Sequence, residues 1–288
     1  MRLDRILSIH FGHPISRIVD RNSVGGIPIL MYHGIRDGAQ SARPYYETNT
    51  SPEMFARHME FLSRNGYSAI GLEAVQSIPD GEACGKRVVI TFVDGFRDFY
   101  STAFPILSSH EFVATVFIAT GFLGDRRARW KGADLMTWPE VRELQSCGVR
   151  FGSHTVNHPE LERLDEKQIN REVLRSKQTL EDKLGVPIKS FAYPYAFPEH
   201  NRTFTKRLAA VLETHGYENG VSTVIGRARS TDNRYFLPRL PVNTWDDRQL
   251  FQAKLEGGYD WLHLPQSVYK KVRHQVRAGA IQPVRQAV

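Results

Sequence analysis

The stretch Val88–Tyr100, VVITFVDGFRDFY, decides how this chain is read. Apolar and β-branched residues run from Val88 to Phe92, and the run stops at Val93-Asp94-Gly95. That pattern predicts a buried strand that delivers an acidic residue to its C-terminal tip, with Gly95 allowing a sharp exit. Where parallel strands alternate with helices, the C-terminal strand ends form the ligand-binding edge. An Asp-Gly pair after a strand is also an ordinary turn, so the weight of Asp94 depends on what else reaches the same edge.

Outward from that stretch the same punctuation recurs. Ile27–Tyr32 reads as a buried strand presenting His33, Val149–Ser153 as one running into His154, and Ser190–Tyr193 as one ending at Pro194-Tyr195. Further strands are predicted at Tyr67–Ile70, Ala114–Ile118, Val221–Ile225 and Leu237–Pro241, the last carrying Arg239. Between them lie helix starts with capping chemistry: Ser51-Pro52-Glu53, Thr137-Trp138-Pro139-Glu140, and Asp165 to Gln168. The Asp165 helix shows Ile169, Val173, Leu180 and Leu184 on one face and stops at Gly185 before Pro187. A final helix is expected at Trp245–Leu255, followed by a polar tail. Strands alternating with helices at this spacing indicate parallel β/α units. With no low-complexity linker and no internal repeat, one barrel-like domain is favoured over two open-sheet domains. The expected organisation is an amphipathic arm at 1–26, a barrel at 27–260 and a basic tail at 261–288.

Composition sets the outer limits. The chain has 288 residues, 41% hydrophobic and 24% charged, ordinary values for a globular protein with a real core. Its 38 basic and 31 acidic residues give +7, with Lys270, Lys271, Arg273, Arg277 and Arg285 clustered near the C-terminus. Such a cluster is either a solvated terminus or a contact for an anionic surface such as a membrane. No basic patch interleaved with aromatics points to nucleic acid. Cys84 and Cys147 are too few for a disulfide framework or a cysteine-rich zinc site. No run is long and apolar enough for a membrane span. Asp4, His10, His13 and Arg17 interrupt the N-terminal stretch, which does not look like a secretory signal. A cytoplasmic location, with peripheral contact at an inner membrane through the basic tail, is the expectation.

His154-Thr155-Val156-Asn157-His158 places two imidazoles four residues apart. If the segment turns helically, both project to one side. With Asp94 they make a two-histidine, one-carboxylate set that leaves positions open for water and substrate. Zn2+ suits such a set, and Co2+, Ni2+ or iron also accept nitrogen and oxygen ligands. Ser153 and Asn157 are the candidates for supporting hydrogen bonds.

Taken together these motifs resemble the NodB-homology polysaccharide deacetylases. ITFVDGFRDFY resembles the family's TFDDG motif, SHTVNH its His-Ser/Thr-x-x-x-His motif, FAYPYA (Phe191–Ala196) the segment lining one groove wall, and LPRLPV (Leu237–Val242) the segment that supplies an arginine. PILMYHG resembles the branch whose motif order is circularly permuted. The similarity runs from about Pro28 to Val242 and implies a distorted (β/α) barrel with seven or eight strands. It further implies that Asp94, His154 and His158 hold the metal, that His33 is the general acid, that Tyr195 offers a backbone N–H to the oxyanion beside Pro194, and that Arg239 orients the base. His263, in Trp261-Leu262-His263, is the alternative general acid. Trp138 could stack its indole on a sugar ring or pack in the core.

One position departs from the family. The first Asp of TFDDG, the general base, is Val93 here. Loss of a general base typically costs about 10²–10⁴-fold in rate. Three readings follow: a weakened metal-dependent deacetylase acting on N-acetylated sugar units of a glycan or glycolipid precursor; one that recruits Asp98 as a substitute base; or a catalytically impaired relative that binds carbohydrate or serves as a scaffold in exopolysaccharide assembly. A non-carbohydrate amidohydrolase of the same fold is a further possibility.

Overall fold

A computed structural model describes residues 2–22, 25–37, 47–78 and 86–279; Cys84, Arg285 and most of the polar stretch 36–50 lie outside them. The strands are β1 (Ile29–Tyr32), β2 (Ser68–Ala69), β3 (Arg87–Phe92), β4 (Thr115–Ile118), β5 (Arg129–Trp130), β6 (Ala133–Asp134), β7 (Arg150–Ser153), β8 (Ser190–Ala192), β9 (Asn219–Ile225) and β10 (Leu237–Pro241). Seven of them, β1, β3, β4, β7, β8, β9 and β10, pair in parallel as a closed barrel, in the order β1-β10-β9-β8-β7-β4-β3, with β3 returning to β1. Closure rests on four register pairs, from Ile29 with Val89 to Tyr32 with Phe92. β2 adds to the start of β3, at Arg87 and Val88. β5 and β6 form a separate antiparallel hairpin.

The helices are α1 (Leu3–Leu7), α2 (His13–Asn22), α3 (Pro52–Arg64), α4 (Phe104–Ser109), α5 (Trp138–Ser146), α6 (Glu166–Leu184), α7 (Arg202–Thr214), α8 (Arg248–Leu255) and α9 (His263–Gly279). A π turn at Ser8–Gly12 joins α1 to α2, and another at Phe99–Ala103 leads into α4. The capping residues do what their chemistry predicts. Ser51 Oγ accepts from Met54 N, Thr137 and Glu140 form a capping box on α5, and Asp165 and Gln168 form one on α6. Gly185 ends α6 in the left-handed conformation, φ 69°.

Period-two alternation divides each barrel strand between two cores. Ile29, Val89, Phe117, Ala192, Val221 and Leu237 fill the barrel interior, and Val93 packs with the same cluster. Leu30, Ile90, Val116, Phe191 and Leu240 face the helices. Each large side chain so buried contributes roughly 1.5–3 kcal/mol of transfer free energy. Parallel strands buried on both faces read in sequence as unbroken apolar runs, which is why VVITF and ATVFI stand out.

The sequence expectation departs from the structure at the chain's end. The polar stretch after Leu262 is not irregular: it continues as α9 through Gly279, tied to β9 by Gln266, which donates to Thr223 O and accepts from Ile225 N. No helix among the described residues is long and apolar enough to cross a membrane.

Candidate active site

Asp94 follows β3 in a left-handed conformation, φ 76°, and Gly95 repeats it at φ 82°. Thr155, His158 and Tyr195, all after strand ends, also have positive φ, at 67°, 51° and 60°. Such conformations cost a non-glycine residue on the order of 1–3 kcal/mol and gather where function requires them. Here they turn side chains from three strand ends toward one point.

At that point Asp94 Oδ1 stands 3.4 Å from His158 Nε2 and 3.7 Å from His154 Nε2. All three residues are buried, and no other group of three or more His, Cys, Asp or Glu side chains among the described residues could share an ion. Asp94 Oδ1 has no hydrogen-bond partner, an orphaned buried anionic oxygen facing two imidazoles. Zinc–ligand bonds of about 2.0–2.1 Å in a tetrahedron set donor–donor edges of about 3.3–3.4 Å. The His158 separation matches such an edge and the His154 one exceeds it by about 0.3 Å, so the residues fit a divalent cation after a small adjustment.

The histidines are prepared for that task. His154 Nδ1 lies 2.8 Å from Ala192 O, and a carbonyl only accepts, so Nδ1 carries the proton and Nε2 keeps its lone pair. Burial first, and then the neighbouring His158, push its pKa well below the usual imidazole value. Burial and the nearby Lys131 bring His158 down to about 4. Both rings are therefore neutral at pH 7, the form a cation needs.

The i, i+4 histidine pair does not arise from a helix, which corrects the expectation for this segment. Residues 154–158 form an irregular turn, because Thr155 and His158 are left-handed. Thr155 Oγ1 accepts from His158 N at 3.0 Å. Glu172, reaching in from α6, accepts from Val156 N, Asn157 N and Asn157 Nδ2 at 2.7–2.9 Å. Asn157 thus braces the loop through Glu172, and Ser153 Oγ donates to Ser176 Oγ. Nothing in the local sequence marks Glu172, a helix residue whose partner segment is set by the packing of α6 on β7.

Two further residues escape sequence reasoning. The β5–β6 hairpin turns at Lys131-Gly132, φ 50° and 78°, the two-residue turn with both positions left-handed. Its tip sends Lys131 Nζ to within 3.1 Å of Asp94 Oδ2, and Trp130 sets its ring edge-on to His158 at 5.1 Å and stacks on Phe122 at 4.2 Å. Lys-Gly between two residues of no marked alternation is a weak hairpin signal. Trp138, read as either a stacking platform or a core residue, is the latter: it is 3% exposed and belongs to the helix-facing core with Val141 and Leu144. As the first residue of α5 it is pinned beneath that helix, so it cannot meet a sugar; Trp130 is the tryptophan at the site.

The remaining candidates are placed as follows. Val93 N donates to Tyr32 O at 3.2 Å, so the register sets His33 beside Val93. Burial, together with Arg239, Lys131 and Arg36, pushes His33 down to about 3. Arg239 is 1% exposed; Nε donates to Ser222 O at 2.7 Å, while Nη1 has no partner. Burial lowers its pKa to about 9, opposed by the Asp94 charge. Pro194 is buried, whereas the half-exposed Tyr195 lays its ring edge-on to His158 at 4.5 Å. Asp98 is not free to replace a base at position 93, because Arg36 Nη1 holds it at 2.7 Å. His263, the alternative acid, pairs with Glu199 at 2.8 Å rather than with the Asp94 group.

A barrel of parallel strands with Asp, His and His at its C-terminal mouth defines a class, and comparison with known proteins agrees. Residues 80–220 match the family model for polysaccharide deacetylase. The chain is 28% identical over 233 residues to the putative polysaccharide deacetylase YxkH of Bacillus subtilis, covering 80% of this chain and 76% of that protein. It is 25% identical over 233 residues to the poly-β-1,6-N-acetyl-D-glucosamine N-deacetylase of Staphylococcus aureus, covering 74% and 78%. Among solved structures it resembles the Streptococcus pyogenes deacetylase PplD in complex with acetate, with TM-score 0.67, 27% identity, and 80% and 98% of the two chains covered. IcaB from Ammonifex degensii shares the fold at TM-score 0.63 and 21% identity, with 80% and 97% covered. Over 80% of its length the chain is thus similar to polysaccharide deacetylases.

Proposed function

We propose that this protein removes acetyl groups from N-acetylated sugar units of a glycan or a glycan precursor, with a divalent cation, Zn2+ first, held by Asp94, His154 and His158. The observation that carries this reading is the orphaned Asp94 Oδ1 between two neutral imidazoles, 3.4 and 3.7 Å away. A cation bound there polarises an acetamide carbonyl and lowers the pKa of water toward about 7. Ala192 O and Glu172 fix the two histidines, so the ligand geometry exists before substrate arrives. Tyr195, half-exposed and edge-on to His158, offers an aromatic surface to a pyranose ring, whereas Phe122 and Lys131 cover the two faces of Trp130. His33, held neutral at pH 7 by burial and nearby cations, is a weak proton acceptor; once it takes a proton from the attacking water it is a strong donor to the departing nitrogen. That double role would substitute for the base that Val93 cannot supply.

Acetate release from N-acetylglucosamine oligomers with added Zn2+ tests the reading. Asp94→Asn and His154→Ala should each abolish release while leaving the thermal unfolding transition cooperative. Release that is unchanged in both variants would refute it. A second reading rests on Val93 itself: a glycan-binding or scaffold relative with little turnover. Oligosaccharide binding without measurable acetate release would favour that reading.

A further inference from the structure

The helix running from Leu3 through the π turn to Asn22 is docked inside out. Asp4, Ser8 and Ser16 are buried, and Gly12 packs so closely on Gly258 O that a side chain there would clash. This small and polar face is held by specific bonds: Tyr259 Oη donates to Asp4 Oδ2 at 2.9 Å and Trp261 Nε1 to Ser8 Oγ at 3.0 Å. The opposite face carries Leu3, Leu7, Phe11, Ile15 and Ile18, all between 41% and 67% exposed. Of the large apolar side chains on this helix with described burial, only Ile9 packs against the main core. In a straight α-helix, positions four apart drift around the axis; the wider π turn at Ser8–Gly12 takes up that drift and keeps Leu7, Phe11 and Ile15 in line. An amphipathic helix that serves only its own core would turn these faces the other way.

Charge says what covers the stripe. Residues 1–22 and 263–288 carry nine of the 38 basic and two of the 31 acidic residues, a surplus equal to the formal charge of the whole chain, +7. The 29 basic and 29 acidic residues between them cancel. α9, which starts two residues after Trp261, has no acidic residue and exposes Leu264, Val268, Tyr269 and Lys271. Arg2, Arg5 and Arg17 stand near Asp246, Asp247 and Glu256, so the surplus is concentrated on α9 and the residues after it; a second copy would oppose two such cationic segments and repel. An anionic bilayer supplies both an apolar layer for the stripe and phosphates for the cations.

We infer that the N-terminal helix and α9 form an interfacial membrane-binding face, with the Leu3–Ile18 stripe lying in the headgroup region of an anionic lipid surface. This face is independent of the deacetylase reading and would persist if that reading failed. Cosedimentation with vesicles of equal parts phosphatidylglycerol and phosphatidylcholine, against phosphatidylcholine alone, tests it. The full chain should bind the anionic vesicles, bind the neutral ones far more weakly, and lose affinity at high salt. Phe11→Gln with Ile15→Gln should reduce binding about a hundred-fold, because two large apolar side chains no longer enter the lipid. Arg17→Glu with Lys271→Glu should remove the anionic preference while leaving the apolar stripe intact. Both pairs lie on the solvent face, and unchanged thermal unfolding checks that the fold is kept. No vesicle binding, binding indifferent to Phe11→Gln with Ile15→Gln, or a dimer that this pair dissolves without any vesicle binding would overturn the inference.

Discussion

Lys131 Nζ lies 3.1 Å from Asp94 Oδ2, on the oxygen that the two imidazoles leave free. The lysine stands on a two-residue hairpin turn and rests over the Trp130 ring at 4.0 Å. Its charge therefore sits on the same carboxylate that would hold a cation, and like charges at this range repel. Lys131→Met should tighten Zn2+ binding by about ten-fold, as measured by competition with a chelating dye. Unchanged affinity would place the lysine away from the site in solution.

Cation binding should also be visible without turnover. A ligand that binds only the folded state raises its stability in proportion to the logarithm of its concentration over Kd. Zn2+ should raise the melting temperature of the chelator-treated protein, and His158→Ala should remove most of that rise. A rise of the same size in the variant would mean that the ion binds elsewhere.

Val93→Asp places a carboxylate beside His33 in a barrel interior where Arg239 Nη1 has no partner. If the missing base limits the rate, acetate release should climb by about 10²–10⁴-fold. If His33 already accepts the proton, the gain should be small and His33→Gln should be the more damaging change. The ratio of the two variants' rates measures which group carries the proton.

Acid should destabilise the chelator-treated protein between pH 6.5 and pH 4. His58 is buried, accepts from Tyr32 Oη at Nδ1, donates from Nε2 to Asp246 O and stacks on Phe251 at 4.1 Å. Burial holds it down to about 4, so the unfolded chain takes up its proton near pH 6.5 while the folded one stays neutral. The unfolded state then binds more protons, and stability falls as pH falls through that window. His58 alone contributes a slope of about 1 kcal/mol per pH unit, and His154 and His158 shift in the same direction. Urea midpoints at pH 7 and pH 5 check this; equal midpoints would show that these rings are solvated.

Much of the barrel was legible along the chain because its strands are buried on both faces. VVITF, ATVFI and IPILMY announce themselves as apolar runs that stop at Asp94, Thr120 and His33. Caps were equally legible, since Thr137 with Glu140 and Asp165 with Gln168 act on neighbours three residues away. Asp94 could be nominated because it ends such a run, and His154 and His158 because two imidazoles lie four residues apart after another strand.

Other features depend on contacts between distant segments, which no local pattern encodes. Sequence determined the alternation of strand and helix, and the residue types at each strand tip, through side-chain period and short-range capping. Tertiary structure alone decided that Trp130 rather than Trp138 reaches the site, that Glu172 clamps the histidine loop, that Lys131 occupies the second Asp94 oxygen, and that the N-terminal helix turns its apolar face outward. An amphipathic pattern gives the same helix whichever face is docked. The choice is made by Tyr259 and Trp261, some 250 positions away, whose hydrogen bonds to Asp4 and Ser8 hold the polar face inward.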